Sequence, residues 1–158
     1  MGKEIERKFL VKSDDYKRLA KGTLYRQGYL SVRKEAVVRV RIIDDKGFIT
    51  IKSKNIGAIR AEYEYEVPYS DACEMLDSLC EKPIVEKYRY KLEFKGAVWE
   101  IDEFLGDNEG LVMAEIELIN ENDDFQKPEW IGEEVTKDPR YYNSNLAKNS
   151  YKNWRKDV

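Results

Sequence analysis

The sequence predicts a mainly β protein in which eight antiparallel strands form a closed barrel, with a few helices at its periphery. Eight segments alternate between apolar and polar side chains with the period of two that is typical of strands. Turns join most of these segments, which favours an antiparallel sheet that closes on itself. The polar faces also carry their charges in pairs. We expect one domain over residues 1–158.

The first segment, residues 4–11, has the pattern that the later segments repeat. Ile5 and Phe9 fall on one face, whereas Glu4 and Glu6 fall on the other. The same alternation predicts strands over residues 4–11, 24–32, 36–44, 49–52, 60–67, 84–94, 99–102 and 111–119. The tail has a weaker strand signal at residues 132–136.

Three helices are predicted around these strands. Ser13 is expected to cap a helix over residues 14–20, and Ser70 a second helix over residues 70–80. A terminal helix is expected over residues 142–154. Because the helices are few, we expect them to lie outside the barrel or to plug one of its ends.

A tight turn is predicted at residues 44–47, where Gly47 can supply a positive φ angle. Residues 95–96 form a second predicted turn that also contains a glycine. Both turns join neighbouring strands and therefore support an antiparallel arrangement.

The composition excludes several classes of protein. Charged residues are 37% of the chain, above the usual ~25%, yet the net charge is only −3. A nucleic-acid-binding protein would normally be more basic, and no apolar run approaches the ~20 residues of a membrane span. Because the chain enters a strand at once, we expect no signal peptide and a cytoplasmic location.

Cysteine and histidine usage limits the chemistry further. Cys73 and Cys80 lie seven residues apart on a predicted helix, about 10 Å along its axis, too far for a mutual disulfide. We interpret both as core residues. There is no histidine, which excludes Ser-His, Cys-His and His-metal chemistry. Carboxylates, lysine, arginine, tyrosine or a bound metal must carry any catalysis.

The polar strand faces have two interpretations. They are either the solvated side of an ordinary sheet or the lining of a central cavity. The bases are clustered, as at Arg39 and Arg41, and the acids form pairs such as Glu115 and Glu117, whereas a solvated sheet would place opposite charges across strands. Paired carboxylates suit Mg²⁺ or Mn²⁺, and clustered arginines suit phosphate. The charge pattern therefore favours a cavity that holds a metal-chelated polyphosphate.

This ordered series of paired charges resembles the CYTH domain, also called the triphosphate tunnel metalloenzyme family. The resemblance begins at Glu4-x-Glu6-x-Lys8 and extends to residues 134–141. It implies an eight-stranded tunnel with metal and triphosphate inside. The first residues are most similar to short bacterial members that are inorganic triphosphatases.

The resemblance also implies roles for individual residues. One or two Mg²⁺ or Mn²⁺ ions would be held by Glu4, Glu6, Glu62, Glu64, Asp102, Glu115 and Glu117. The phosphates would be bound by Lys8, Arg39, Arg41, Lys52, Lys87 and Arg89. A catalytic pair that orients water or assists proton transfer is expected from the strand pattern alone, since Lys8 and Tyr29 both lie on polar strand faces, although Tyr29 is equally well explained as a wall aromatic. Glu66, Lys91 and Glu100 are interpreted as rim residues.

The expected function is metal-dependent hydrolysis of inorganic triphosphate, with nucleoside triphosphates as further substrates. A class IV adenylate cyclase, a thiamine triphosphatase and a non-catalytic polyphosphate- or nucleotide-binding module remain alternatives. The sequence has no evident adenine pocket, which disfavours the cyclase, and its acidic pairs are complete, which disfavours the binding module. We expect no nucleic-acid or membrane partner, and a homodimer stays open.

Overall fold

The computed structural model describes residues 2–155, in which nine strands and three α-helices are found. The strands are β1 (Gly2–Val11), β2 (Gly22–Arg33), β3 (Ala36–Ile43), β4 (Lys46–Ser53), β5 (Ile59–Val67), β6 (Val85–Phe94), β7 (Ala97–Phe104), β8 (Val112–Glu117) and β9 (Ile131–Glu134). The helices are α1 (Tyr16–Leu19), α2 (Tyr69–Ser78) and α3 (Asn143–Lys148), with 3₁₀ turns at Gly106–Asn108, Pro139–Tyr141 and Tyr151–Asn153. No helix within residues 2–155 combines the length and the apolar character needed to cross a membrane.

Eight of these strands close into a ring. Their order is β1-β5-β4-β3-β2-β6-β7-β8 and back to β1, and each pairing is antiparallel. β1 completes the ring because its first half pairs with β5 and its second half with β8. β9 is added to β1 outside the ring. The predicted closed antiparallel barrel is confirmed.

The apolar outer faces of the strands pack against the helices and the tail. Ala72 and Leu76 of α2 contact Val40 and Ile42 of β3 in one buried cluster. A second cluster surrounds Trp99 and is covered by α1 and by the segment before β9. Burial of these faces leaves the polar faces directed toward the interior of the ring.

A third apolar cluster closes one end of the ring. Tyr29, Phe104 and Met113 pack there against Tyr141 and Leu146, which belong to the C-terminal segment that includes α3. The helix thus plugs the barrel, and the interior is open toward the other end.

The helix boundaries differ from those predicted. The N-cap position of α1 is Asp15 and not Ser13, although the Ser13 hydroxyl accepts a long hydrogen bond, 3.4 Å, from the backbone N–H of Asp15. Ser70 is not a cap, since α2 begins after Pro68 without a capping side-chain bond. The predicted terminal helix is shorter, because Asn149 adopts an extended conformation that ends α3. Asparagine favours such ends because its side chain competes for backbone hydrogen bonds. Cys73 and Cys80 are both free, as expected.

The turn between β3 and β4 is also formed differently. Asp44 has the positive φ angle, 55°, that was expected at Gly47. Gly47 is required by packing instead: a Cβ atom added there would lie 2.5 Å from the Cβ atom of Ala72 in α2.

Gly47→Ala is therefore expected to lower the free energy of unfolding by about 1–3 kcal/mol, the usual cost of overpacking. Urea denaturation measures this change. The double variant with Ala72→Gly removes the clash and should recover part of the loss. An unchanged unfolding midpoint in the single variant would contradict the packing argument.

Candidate active site

The ring encloses a cavity of about 180 Å³ whose lining is mainly charged. The register brings the charged rows together, with Glu6 opposite Glu117 and Lys8 opposite Glu115. The predicted site residues that line the cavity are Glu4, Glu6, Lys8, Tyr29, Arg39, Arg41, Lys52, Glu62, Glu64, Lys87, Arg89, Glu115 and Glu117. The charged faces therefore form an internal cavity and not the solvated side of a sheet.

Four buried cations, which we call the cationic wall, occupy one side of the cavity: Arg39, Arg41, Lys87 and Arg89. Each is less than 10% exposed. They project from β3 and β6, the two neighbours of β2. Tyr25 of β2 lies between the two strands, with its ring centroid 5.0 Å from the guanidinium carbon of Arg41 and 4.9 Å from that of Arg89. Cation–π contacts on this ring help to hold two like charges close together.

The electrostatics of the cationic wall favour an anion. Burial lowers the pKa of Arg41 to about 9, and the charges of Arg39 and Arg89 act in the same direction. Burial likewise lowers the pKa of Lys87 to about 7; Asp102 opposes this shift, whereas Arg89 and Arg41 add to it. By contrast, against the effect of burial, Asp102 raises the pKa of Arg89. An anion bound at this wall would favour the charged forms of Arg41 and Lys87, as at a phosphate-binding surface.

Asp102 lies behind the cationic wall and does not line the cavity. It is 1% exposed, and its two oxygens accept hydrogen bonds from Lys87 at 2.7 Å and from two nitrogens of Arg89 at 2.7 and 2.8 Å. Although burial opposes the shift, Arg89 and Lys87 lower the pKa of Asp102 to about 2. The sequence predicted that Asp102 is a metal ligand. In the structure, both of its oxygens are instead bound by Lys87 and Arg89.

Two lysines link the carboxylates on the other side of the cavity. Lys52 donates to both oxygens of Glu4, at 3.1 and 2.9 Å. Lys8 lies 2.6 Å from Glu115 and 3.1 Å from Glu6. Burial alone would lower the pKa of Lys8, but these two carboxylates raise it well above its usual value. Lys8 is therefore protonated at neutral pH.

Five carboxylates, which we call the acidic rim, line the cavity and repel one another electrostatically at Glu117: Glu4, Glu6, Glu62, Glu100 and Glu117. Burial, followed by the charges of the other four, raises the pKa of Glu117. No Lys or Arg nitrogen within residues 2–155 lies within ion-pair distance of Glu117. The unneutralised charge of the acidic rim is therefore at Glu117, because the other four carboxylates each lie within ion-pair distance of a lysine or an arginine.

The acidic rim fits a hard divalent cation, because every side chain in it offers carboxylate oxygens. In the described part of the chain, however, no three acidic or cysteine side chains already form a ligand set for an ion. Lys52 and Lys8 hold Glu4 and Glu6 instead. Metal binding would have to draw these carboxylates away from their lysines.

The predicted catalytic pair has separate partners. Lys8 and Tyr29 both line the cavity, but Lys8 contacts carboxylates, whereas the Tyr29 hydroxyl accepts a hydrogen bond of 3.2 Å from Gln27. Because Lys8 is protonated, it is able to donate a proton or a hydrogen bond but not to act as a base.

Sequence reasoning missed three polar residues that support the site. Thr50 is fully buried, accepts a hydrogen bond from Arg39 and donates one to Glu64. Gln27 and Asn143 contact members of the cationic wall. Gln27 and Thr50 lie on the polar faces of their strands, which was a usable signal. Asn143, at the start of α3, had none.

The chain is similar to known triphosphatases over almost its whole length. It is 62% identical over 155 residues to an inorganic triphosphatase of Acetivibrio thermocellus, covering 98% of this chain and 99% of that protein. A second inorganic triphosphatase, from Nitrosomonas europaea, is 39% identical over 148 residues, covering 91% of this chain and 96% of that protein.

The fold is also similar to that of a triphosphatase of known structure. The crystal structure of an inorganic triphosphatase superposes with a TM-score of 0.65 at 36% identity, covering 90% of this chain and 96% of that one. The model of the CYTH domain matches residues 2–142, which include every predicted site residue. The chain belongs to the CYTH domain family.

Proposed function

We propose that this chain hydrolyses inorganic triphosphate inside the barrel with the help of a divalent metal ion. The observation that carries the proposal is the opposition of the cationic wall to the acidic rim across one cavity. A metal-chelated polyphosphate needs both kinds of surface. The relatives described above, which are inorganic triphosphatases, support the same activity.

The cationic wall, with Lys52, would bind the phosphate oxygens. Arg39 and Arg41 offer several N–H donors each, which suits bidentate contacts with phosphate. Phosphoryl transfer depends mainly on positioning and on neutralising charge. These buried cations supply both without a covalent intermediate. Asp102 would act as a positioning residue that holds Lys87 and Arg89 in place.

Mg²⁺ or Mn²⁺ would be held by the acidic rim together with Glu64 and Glu115. When bound, the ion would polarise phosphate oxygens and lower the pKa of a water ligand. The metal would compete with Lys8 and Lys52 for their carboxylates, so these lysines would become free to donate to phosphate. Tyr29, fixed by Gln27 at the closed end, would limit how far the phosphate chain enters.

We expect inorganic triphosphate to be hydrolysed with a kcat/KM at least about tenfold above that for ATP, a difference of about 1.4 kcal/mol. The charged lining recognises phosphate, and in the cavity of about 180 Å³ the apolar and aromatic residues, such as Val37, Tyr29 and Tyr142, are a minority of the lining. Release of phosphate and of cyclic AMP should be measured with both substrates, with Mg²⁺, with Mn²⁺ and with excess EDTA.

Three results would contradict the proposal. Full activity in excess EDTA would show that hydrolysis does not need a divalent metal ion. Cyclic AMP as the main product would replace hydrolysis by cyclisation, and a higher kcat/KM for ATP would make the protein a nucleotidase.

A further inference from the structure

Two amides, the buried Gln27 and the half-buried Asn143, connect Arg41 to Lys87 at the closed end of the cavity. Arg41 Nε donates to Gln27 Oε1 at 2.9 Å. Gln27 Nε2 in turn donates to Asn143 Oδ1 at 3.2 Å, and the same oxygen accepts from Lys87 Nζ at 2.9 Å. The chain of hydrogen bonds therefore runs from one cation of the wall to another and fixes the orientation of both amides.

Arg41 differs from its neighbour Arg89 in the charge of its acceptor. Arg89 is held by the carboxylate of Asp102. Among the described residues, no carboxylate lies within ion-pair distance of Arg41, and Gln27, which is 0% exposed, takes the equivalent place. An amide oxygen satisfies a buried N–H group as a carboxylate does, but it leaves the positive charge unneutralised.

We propose that Gln27, held in turn by Asn143, is a positioning residue that orients Arg41 through a neutral acceptor, so that the charge of Arg41 stays available to a polyphosphate. Lys87 and Arg89 are instead held by the carboxylate of Asp102. The inference rests on the proposed function, since it names the groups that tune its phosphate site. It also explains why α3 enters the end of the barrel: Asn143 brings the second amide to Lys87.

The test compares two substitutions that act in opposite directions. Gln27→Glu keeps an acceptor for Arg41 and adds a negative charge, but it loses the N–H donor to Asn143 Oδ1. The ion pair with Arg41 offsets this loss, so stability should change little while phosphate binding weakens. Gln27→Met keeps the size and neutrality but leaves the Arg41 N–H without its acceptor, so the protein should be less stable while most of the binding is kept. A purely structural role predicts that Gln27→Met is the more damaging change for both properties.

Binding of inorganic triphosphate in EDTA should be measured by calorimetry, together with Tm and steady-state kinetics with Mg²⁺. We expect Gln27→Glu to weaken binding at least about tenfold, as expected for cancelling a buried charge, with a corresponding rise in KM and a smaller change in kcat. Gln126→Glu, the same chemical change at an exposed position outside the cavity, is the matched control and should behave as the native protein.

A second variant keeps the test decisive if Gln27→Glu does not fold. Asn143→Asp places the new charge on Lys87 from the less buried end of the chain of amides, and it should weaken triphosphate binding in the same way. Unchanged affinity in a folded carboxylate variant, or a greater loss in Gln27→Met, would overturn the inference. If the native protein binds triphosphate but does not hydrolyse it, the proposed function fails while the binding comparison still decides the inference.

Discussion

Replacing Asp102 with asparagine is expected to lower the free energy of unfolding by about 3–5 kcal/mol, the cost of removing one partner of a buried ion pair. Lys87 and Arg89 are 1% and 8% exposed and both donate to this carboxylate. Without it, Lys87 and Arg89 would remain buried beside Arg41, and Glu100, 3.4 Å from Arg89, would offset only part of their charge. Urea denaturation at neutral pH, in EDTA, measures the loss.

The pH dependence of this loss has a definite sign. The pKa of Asp102 is lowered from its usual value of 3.8 to about 2 in the folded protein. Its contribution is therefore complete above the unfolded pKa and disappears as the pH falls through the folded one. The stability difference between the native protein and Asp102→Asn should narrow between about pH 4 and pH 2.

A surface pair provides the control. Asp138 bonds Arg140 in a largely exposed pair, and Asp138→Asn should change stability by no more than about 1 kcal/mol. An Asp102→Asn protein that is as stable as the native one would instead favour the metal-ligand role, because removing a carboxylate from a cluster of carboxylates relieves repulsion.

The alternation of side chains defined the two faces of each strand, and the clustering of like charges indicated that the polar face is internal. Arg39, Arg41, Glu115 and Glu117 line the cavity because every second residue of a strand shares a face. Alternation does not report depth along the barrel. Asp102 shares the internal face but lies behind the cations, and only the register that pairs it with Arg89 reveals this.

The remaining misses concern contacts between distant parts of the chain. A helix that plugs one end was one of the two expected positions, and Leu146 of α3 is found there in one cluster with Tyr29. The contact of Gln27 with Asn143, which spans 116 residues, was not predicted. Gly47 looked like a turn glycine because local sequence favours that interpretation, whereas its neighbour Ala72 sets the requirement. The local sequence pattern does not show which distant residues contact each other, so these partners are known only from the folded structure.

Glu117→Gln is expected to raise stability and to reduce turnover at the same time. In the absence of metal, Glu117 is repelled by Glu4, Glu6, Glu62 and Glu100, which together with burial raise its pKa. A neutral glutamine removes this repulsion, so Tm in EDTA should increase at neutral pH. The turnover of triphosphate with Mg²⁺ should fall at least about 100-fold, or about 2.7 kcal/mol of transition-state stabilisation, since a carboxylate ligand is lost.

The pKa shift behind this stability gain has the opposite sign to that of Asp102, because the folded-state pKa of Glu117 is raised whereas that of Asp102 is lowered. A carboxyl group whose folded pKa is raised destabilises the protein only once it ionises, so the cost appears as the pH rises through that pKa. The advantage of Glu117→Gln should therefore vanish below about pH 4, where both side chains are neutral. Calorimetric Tm measurements across this range test the sign.

Glu74→Gln, the same change on the exposed side of α2, is the matched control and should leave both Tm and turnover unchanged. A lower Tm for Glu117→Gln would mean that Glu117 has a stabilising partner and that the acidic rim is not short of positive charge. A raised Tm with native turnover would support the repulsion between Glu117 and the other carboxylates but would exclude Glu117 as a metal ligand. Only the combination of higher stability and lost turnover fits a carboxylate that is kept, at a cost in stability, to bind a cation.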